Sequence, residues 1–156
     1  MSAFAKLGLS QALTRALEAN EYETPTPIQK EVIPLLLKGR DVVGIAQTGT
    51  GKTAAFVLPI LEAIVKSEQR PKSKTCRALI IVPTRELASQ IEDNVAKYGV
   101  NVPHVRATIV GGMKYPPQIK KMYRGLDIMV ATPGRLEDHL QSGNISLRDT
   151  HTIILD

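Results

Sequence analysis

What this 156-residue chain lacks narrows its class first. It has no Trp and only two Phe, within a composition that is otherwise ordinary for a soluble protein, 43% hydrophobic and 22% charged. A single cysteine, Cys76, excludes an internal disulfide and leaves no cysteine cluster for a metal. No apolar run approaches the roughly 20 residues needed to cross a bilayer. The N-terminus carries only Lys6 before Arg15 and has no apolar signal core, so nothing marks export or a membrane, and the expected setting is cytoplasmic. Acidic residues are missing between Arg106 and Arg124, a stretch that holds Arg106, Lys114, Lys120, Lys121 and Arg124. Those five cations equal the chain's whole excess, a net charge of +5 from 20 basic and 15 acidic residues. A second stretch, Lys66 to Arg77, sets five cations against Glu68 alone. Such stretches suit phosphate polyanions, although charge runs are more often plain solvated surface.

The feature around which the rest is organised is Ala46-Gln47-Thr48-Gly49-Thr50-Gly51-Lys52-Thr53. Val42-Val43-Gly44-Ile45 before it reads as a short buried strand, and Ala54-Ala55-Phe56-Val57-Leu58 after it opens a helix. A strand, a glycine-containing turn ending in Gly-Lys-Thr, and a helix make up a P-loop. The glycines let successive N–H groups point inward, and the helix adds its positive dipole end. In such a loop the lysine, here Lys52, reaches the β- and γ-phosphates, and the Thr53 hydroxyl sits on Mg2+. One position departs from the general pattern, with Ala46 where Gly is usual. The bland alternative is a chance glycine-rich turn, which the flanking strand and helix argue against.

Around this loop the hydrophobic pattern predicts an α/β fold. Ser10 is placed as the N-cap of an amphipathic helix over 11–19, carried by Leu13, Ala16 and Leu17 and ended by a left-handed Asn20. Thr24-Pro25-Thr26-Pro27 imposes an extended turn. A helix then runs through Ile28, Val32 and Ile33 to Leu36, with Pro34 as a kink or early break. The P-loop helix extends to Val65, and Ser67 to Thr75 is a polar, basic surface loop. Ala78–Val82, Ala107–Val110, Asp127–Ala131 and Thr152–Leu155 are continuous apolar runs, the pattern of strands buried on both faces. Helices over 85–98, 117–124 and 134–142 separate them. Strand alternating with helix indicates one domain, 1–156, with a parallel sheet covered on both faces.

Open parallel sheets bind ligands at their carboxyl edge. Here Val82 is followed by Pro83-Thr84-Arg85-Glu86-Leu87-Ala88, Val110 by Gly111-Gly112, and Ala131 by Thr132-Pro133-Gly134-Arg135. Thr84 and Thr132 can each cap the next helix, with Pro133 at the favoured first helical position. Singly, such turns are ordinary capping worth about 0.5–2 kcal/mol. Three of them on one edge point to a track for a phosphate backbone.

Taken together, these motifs resemble the DEAD-box RNA helicases of superfamily 2. Glu21-Tyr22-Glu23-Thr24-Pro25-Thr26-Pro27-Ile28-Gln29 is similar to that family's Q motif, and Ala46 to Thr53 to its motif I, including the departing Ala46. Pro83 to Leu87 is similar to motif Ia, Gly111-Gly112 to the double glycine, and Thr132 to Arg135 to motif Ib. Phe4 stands upstream of the Q motif, where the family often has an isolated aromatic. The wording of motif I looks bacterial.

The resemblance implies a RecA-like P-loop NTPase domain that takes ATP or ADP with Mg2+ and binds RNA. Tyr22, Thr24, Gln29, Gln47, Thr48, Gly49, Thr50, Gly51, Lys52, Thr53 and Ala54 would hold the nucleotide. Lys52, Thr53 and Asp156 would serve catalysis, and Thr53 and Asp156 the metal. The Gln29 amide carries the donor and acceptor needed to read the adenine edge, and Tyr22 could stack on the base, with simple core packing as its alternative. Glu21 stands where the family usually has Gly, which leaves the unusual backbone conformation to Asn20. Pro83, Thr84, Arg85, Gly111, Gly112, Thr132, Gly134 and Arg135 would contact RNA without reading its sequence.

Asp156 falls on the first residue of the family's motif II. The water-activating glutamate, the Ser-Ala-Thr strand and the second RecA-like domain with its arginine finger would follow. The resemblance therefore implies a truncated N-terminal domain that binds nucleotide but hydrolyses it poorly. It also implies an empty slot in the sheet between the P-loop strand and the terminal strand, and self-association through it. A stand-alone nucleotide- or RNA-binding module is the alternative. A P-loop kinase or transporter ATPase would not explain the Pro-Thr-Arg-Glu-Leu and Thr-Pro-Gly-Arg turns.

Overall fold

The computed structural model describes residues 2–156, which divide into two compact units. The first runs through Glu68 and includes Asn94–Pro103; the second comprises Gln69–Asp93 and His104–Asp156. In the first unit a short 3-10 turn, Ala5–Leu7, precedes α1 (Gln11–Ala19), α2 (Pro27–Leu37) and α3 (Lys52–Lys66). Phe4, Leu13, Leu17, Ile33, Leu58 and Leu61 are fully buried and form the apolar seam of these elements. Ser10 stands at the N-cap of α1, but its hydroxyl makes no capping bond. The buried Glu62 carboxylate accepts the Ser10 N–H at 2.9 Å instead, with Lys66 Nζ 3.7 Å away. Pro34 does not break α2, which continues to Leu37. It sits in the last turn, where one lost backbone bond disturbs little.

The end of α1 differs from expectation in a specific way. Asn20 stays right-handed at φ −103°, and Glu21 takes the left-handed conformation at φ 63°. The Glu21 N–H bonds Glu18 O at 3.0 Å and the Tyr22 N–H bonds Leu17 O at 2.9 Å, the paired pattern of a Schellman turn with Glu21 just past the cap. That position favours glycine, since a side chain there costs about 1 kcal/mol or more. Glu21→Gly is therefore expected to stabilise the protein by about 1 kcal/mol in urea unfolding. An unchanged or lower midpoint would show that the glutamate side chain compensates the strain.

The second unit carries β1 (Cys76–Ile81), the start of α4 (Arg85–Tyr98), β2 (Arg106–Ile109), α5 (Tyr115–Tyr123), β3 (Leu126–Ala131), α6 (Pro133–Gln141) and β4 (Thr152–Leu155). The strands are parallel in the order β2-β3-β1-β4, with helices on both faces, the RecA-like P-loop NTPase class. β3 is buried at every position and packs with Leu79, Ile109, Met122, Leu136 and Ile145 in the core. The two outer strands alternate, and Ile153 and Leu155 of β4 are exposed. Continuous apolar sequence thus marks two-faced burial only for the central strands, because an outer strand has a neighbour on one side alone.

The largest departure lies at Val42–Ile45, which forms no strand. Val43 is 91% and Ile45 90% exposed. Gly44 passes Ile28 and Val32 of α2, where an added Cβ would stand 3.7 and 3.8 Å from their side chains. A strand needs a ladder partner for its N–H and C=O groups, and among the described residues no strand pairs with this segment. Within the sheet, the outer edge of β4 has no strand beside it among the described residues.

Candidate functional site

In the first unit α3 begins at Lys52, behind Gly51 at φ 82° and Gly49 at φ 83°. These two left-handed residues curl the loop and leave Gln47, Thr48 and Gly49 exposed, with Thr50, Lys52 and Thr53 half-buried and Ala54 buried. The first turn of α3 has no acidic residue, so its dipole end is uncompensated. Gln29 of α2, only 3% exposed, reaches this loop. Its Nε2 donates to Gly51 O at 3.1 Å, and its Oε1 accepts the Thr26 N–H at 3.0 Å. A Cβ on Gly51 would collide with the Gln29 amide. Thr26 and Gln29 are paired as the capping box of α2. Gln29 thus ties the Thr-Pro turn to the loop, while its amide keeps one hydrogen and one lone pair for another group.

Tyr22 is held at one edge rather than buried. Its ring meets Tyr98 at 70° with centroids 5.7 Å apart, and Lys97 Nζ lies 3.4 Å from its hydroxyl. The Tyr98 hydroxyl holds the Tyr22 phenol below its ordinary range against the opposing effect of burial, with Lys97 reinforcing it. Burial, then Tyr22, pushes Tyr98 up. Thr24 is exposed.

In the second unit the strand ends form one row, with Ile109 and Ile81 each opposite Ala131 and Leu155 opposite Ile81. Asp156 leaves the same edge, its N–H on Ile81 O at 3.1 Å. The Thr84 hydroxyl caps α4 by accepting the Leu87 N–H at 3.2 Å. Thr132 occupies the N-cap of α6 without a side-chain capping bond, so its hydroxyl remains for another partner. Pro83, Arg85 and Gly134 are exposed. Gly112, at φ 79°, packs so close to Arg85 that a Cβ there would meet the guanidinium, whereas Gly111 faces open space. Arg135 Nη1 donates to Met113 O at 2.6 Å and to Gln118 Oε1 at 3.1 Å, and its guanidinium lies 4.0 Å from the centroid of the Tyr115 ring. The Tyr115 hydroxyl donates to Asp138 at 2.7 Å, and that carboxylate raises its pKa. The three turns read separately in the sequence are therefore one surface with two arginines on it. Arg106 does not join the free cations, because Glu92 pairs with it at 2.7 Å. Lys114, Lys120, Lys121 and Arg124 are exposed, and none is in an ion pair among the described residues.

A family model described as DEAD/DEAH box helicase matches residues 26–156. The chain belongs to that family. It is 43% identical over 157 residues to the DEAD-box ATP-dependent RNA helicase CshA of Geobacillus kaustophilus, covering 100% of this chain and 32% of that protein. To the ATP-dependent RNA helicase DeaD of Escherichia coli K12 it is 44% identical over 158 residues, covering 98% of this chain and 24% of that one. Among solved structures, the RNA helicase Prp28 from Chaetomium thermophilum bound to ADP superimposes with a TM-score of 0.89 at 39% identity, over 100% of this chain and 38% of that chain. The chain thus spans about a quarter to a third of these curated relatives and carries the RecA-like domain of a DEAD-box protein.

The residues present suit a magnesium nucleotide. The open loop at an uncompensated helix terminus fits phosphates, and the Thr53 hydroxyl beside it is a hard oxygen donor of the kind Mg2+ prefers. Among the described residues no three His, Cys, Asp or Glu side chains cluster as a metal site. Any Mg2+ here would share its ligands with phosphate and water. No described helix is long and apolar enough to cross a membrane.

Sequence reasoning missed a polar cluster behind the carboxyl-edge turns, formed by Gln118, His139 and Asn144. His139 is fully buried, and burial followed by the charge of Arg135 holds its pKa below the ordinary histidine range, with Asp138 opposing. The one sequence signal is the four-residue spacing of Arg135 and His139, which puts both on one helix face.

Proposed function

We propose that this chain is the ATP- and RNA-binding N-terminal domain of an ATP-dependent RNA helicase. The observation that carries the nucleotide half is the bond from Gln29 to Gly51, which joins the candidate adenine reader to the phosphate loop. Lys52 and the loop N–H groups would hold the phosphates, Thr53 the Mg2+, and Gln29 and Tyr22 the base, with Thr24 and Gln47 beside them. The nucleotide, when bound, supplies the phosphoryl bond whose cleavage drives the family's RNA remodelling. Arg85, Gly112, Thr132 and Arg135, with Pro83, Thr84, Gly111 and Gly134, would grip RNA phosphates, which fixes the strand without reading its bases.

Competition against labelled ADP tests this reading. ADP is expected to compete well ahead of GDP, and Gln29→Ala is expected to erase most of that preference. Equal competition by both nucleotides in the wild type would remove the adenine-reading role. The family's general base and arginine finger correspond to positions after 156, so a polypeptide of these 156 residues alone is proposed to turn ATP over slowly. The same polypeptide is proposed to self-associate along the outer edge of β4, where Ile153 and Leu155 are exposed.

A further inference from the structure

The Gln118–His139–Asn144 cluster has hydrogen bonds of fixed direction. Gln118, buried on α5, places its Nε2 3.0 Å from Val110 O, which can only accept. Its Oε1 must therefore be the acceptor, and it faces two groups: Arg135 Nη1 at 3.1 Å and His139 Nε2 at 2.8 Å. An arginine only donates, so the orientation of this amide is set twice over. His139 Nε2 must then carry a hydrogen. Its other nitrogen, Nδ1, lies 3.1 Å from Asn144 Nδ2 and takes that amide's hydrogen. A neutral imidazole with its hydrogen on Nε2 satisfies every group in the cluster.

This chain of bonds ends on the carboxyl-edge turns. Val110 leads into Gly111-Gly112, and Met113, which follows them, accepts from the same Arg135 Nη1 that meets Gln118. Both Nη1 hydrogens are used in this way. The three remaining N–H groups of the guanidinium are enough for a bidentate phosphate contact.

We propose that His139 and Gln118 are positioning residues for RNA: through Gln118, His139 fixes the Arg135 guanidinium against Met113 and beside the double-glycine turn. The inference rests on the proposed phosphate contact of Arg135. Neither residue touches RNA in this reading. They act by removing the alternative placements of an arginine that would otherwise swing on a flexible stem.

A double-mutant cycle on the 156-residue protein tests it, with a labelled oligouridylate as probe at one fixed, low salt concentration. His139→Leu, which keeps much of the volume and removes both nitrogens, is expected to weaken oligouridylate binding about three- to tenfold. In an Arg135→Ala background the same substitution should have little further effect, and ADP affinity should be unchanged in both. His139→Gln, which can still donate to Gln118, should recover part of the loss. Gln118→Met, tested in the same cycle, covers the case in which His139→Leu does not fold. A merely structural role would lower the unfolding midpoint but give a loss of RNA affinity that persists unreduced without Arg135. That outcome, or no loss at all in a folded His139→Leu protein, overturns the proposal while leaving the RNA reading intact. If Arg135→Ala itself does not weaken oligouridylate binding, the RNA role of Arg135 fails, and the proposal fails with it.

Discussion

Gly51→Ala should be the most damaging single-methyl change in the P-loop, lowering stability by about 3 kcal/mol and weakening nucleotide binding with it. Two costs add at this position. The backbone stands at φ 82°, where an L-residue pays about 1–2 kcal/mol. The new Cβ would also occupy the place of the Gln29 amide, which is buried and makes one bond to Gly51 O and another to Thr26 N. Displacing that amide forfeits two bonds of about 0.5–1.5 kcal/mol each and leaves buried groups unpaired. Gly49→Ala is the control. Its φ of 83° is nearly the same, but an added Cβ there meets nothing within 4 Å, so only the backbone cost of about 1–2 kcal/mol remains. Urea unfolding of both variants separates the terms. Equal destabilisation would mean that Gln29 moves aside freely and does not hold the loop.

Lys52→Ala should spare the fold and remove nucleotide affinity. Lys52 is half-buried at the start of α3 and takes part in no ion pair among the described residues, so its ammonium is left for a ligand. Truncating one partner of a hydrogen-bonded charge pair costs about 2–4 kcal/mol, roughly 30- to 900-fold in affinity. Titration of labelled ADP is expected to show a loss in that range. Oligouridylate binding should be unaltered, since the candidate RNA residues belong to the other compact unit. A loss below threefold would mean that the loop amides and helix terminus hold the phosphates without the lysine. A parallel loss of RNA binding would show that the substitution damages more than the nucleotide site.

A good part of this protein was legible in the sequence because it depends on neighbours along the chain. Helices over 11–19 and 85–98 follow from apolar spacing and caps, and they appear at those bounds. The strand over Thr152–Leu155 is likewise found as predicted. The motif turns at Pro83, Gly111 and Thr132 lie where apolar strands run into polar helix starts, which is local information. What local pattern could not decide was anything that needed a partner from elsewhere. Val42–Ile45 has the composition of a strand, yet a strand exists only where another completes its hydrogen-bond ladder, and this segment lies exposed past α2. The left-handed residue after α1 is Glu21 rather than Asn20, because the Schellman bonds to Leu17 and Glu18 set the count from the helix end and override residue preference.

The candidate RNA surface divides in the same way. Sequence placed Arg85, the double glycine and Arg135 at the ends of separate strands. Only the parallel register of β1, β2 and β3 brings those ends into one row, with Arg85 against Gly112 and Arg135 against Met113. Gln118 and His139 carried no recognisable motif, since a buried amide and imidazole acquire their roles from the groups that happen to face them. The short motifs and their order along the chain were determined by the sequence alone. The pairing of strands and the company kept by each side chain were decided by the tertiary structure, because hydrogen bonds across tens of residues are satisfied jointly or not at all.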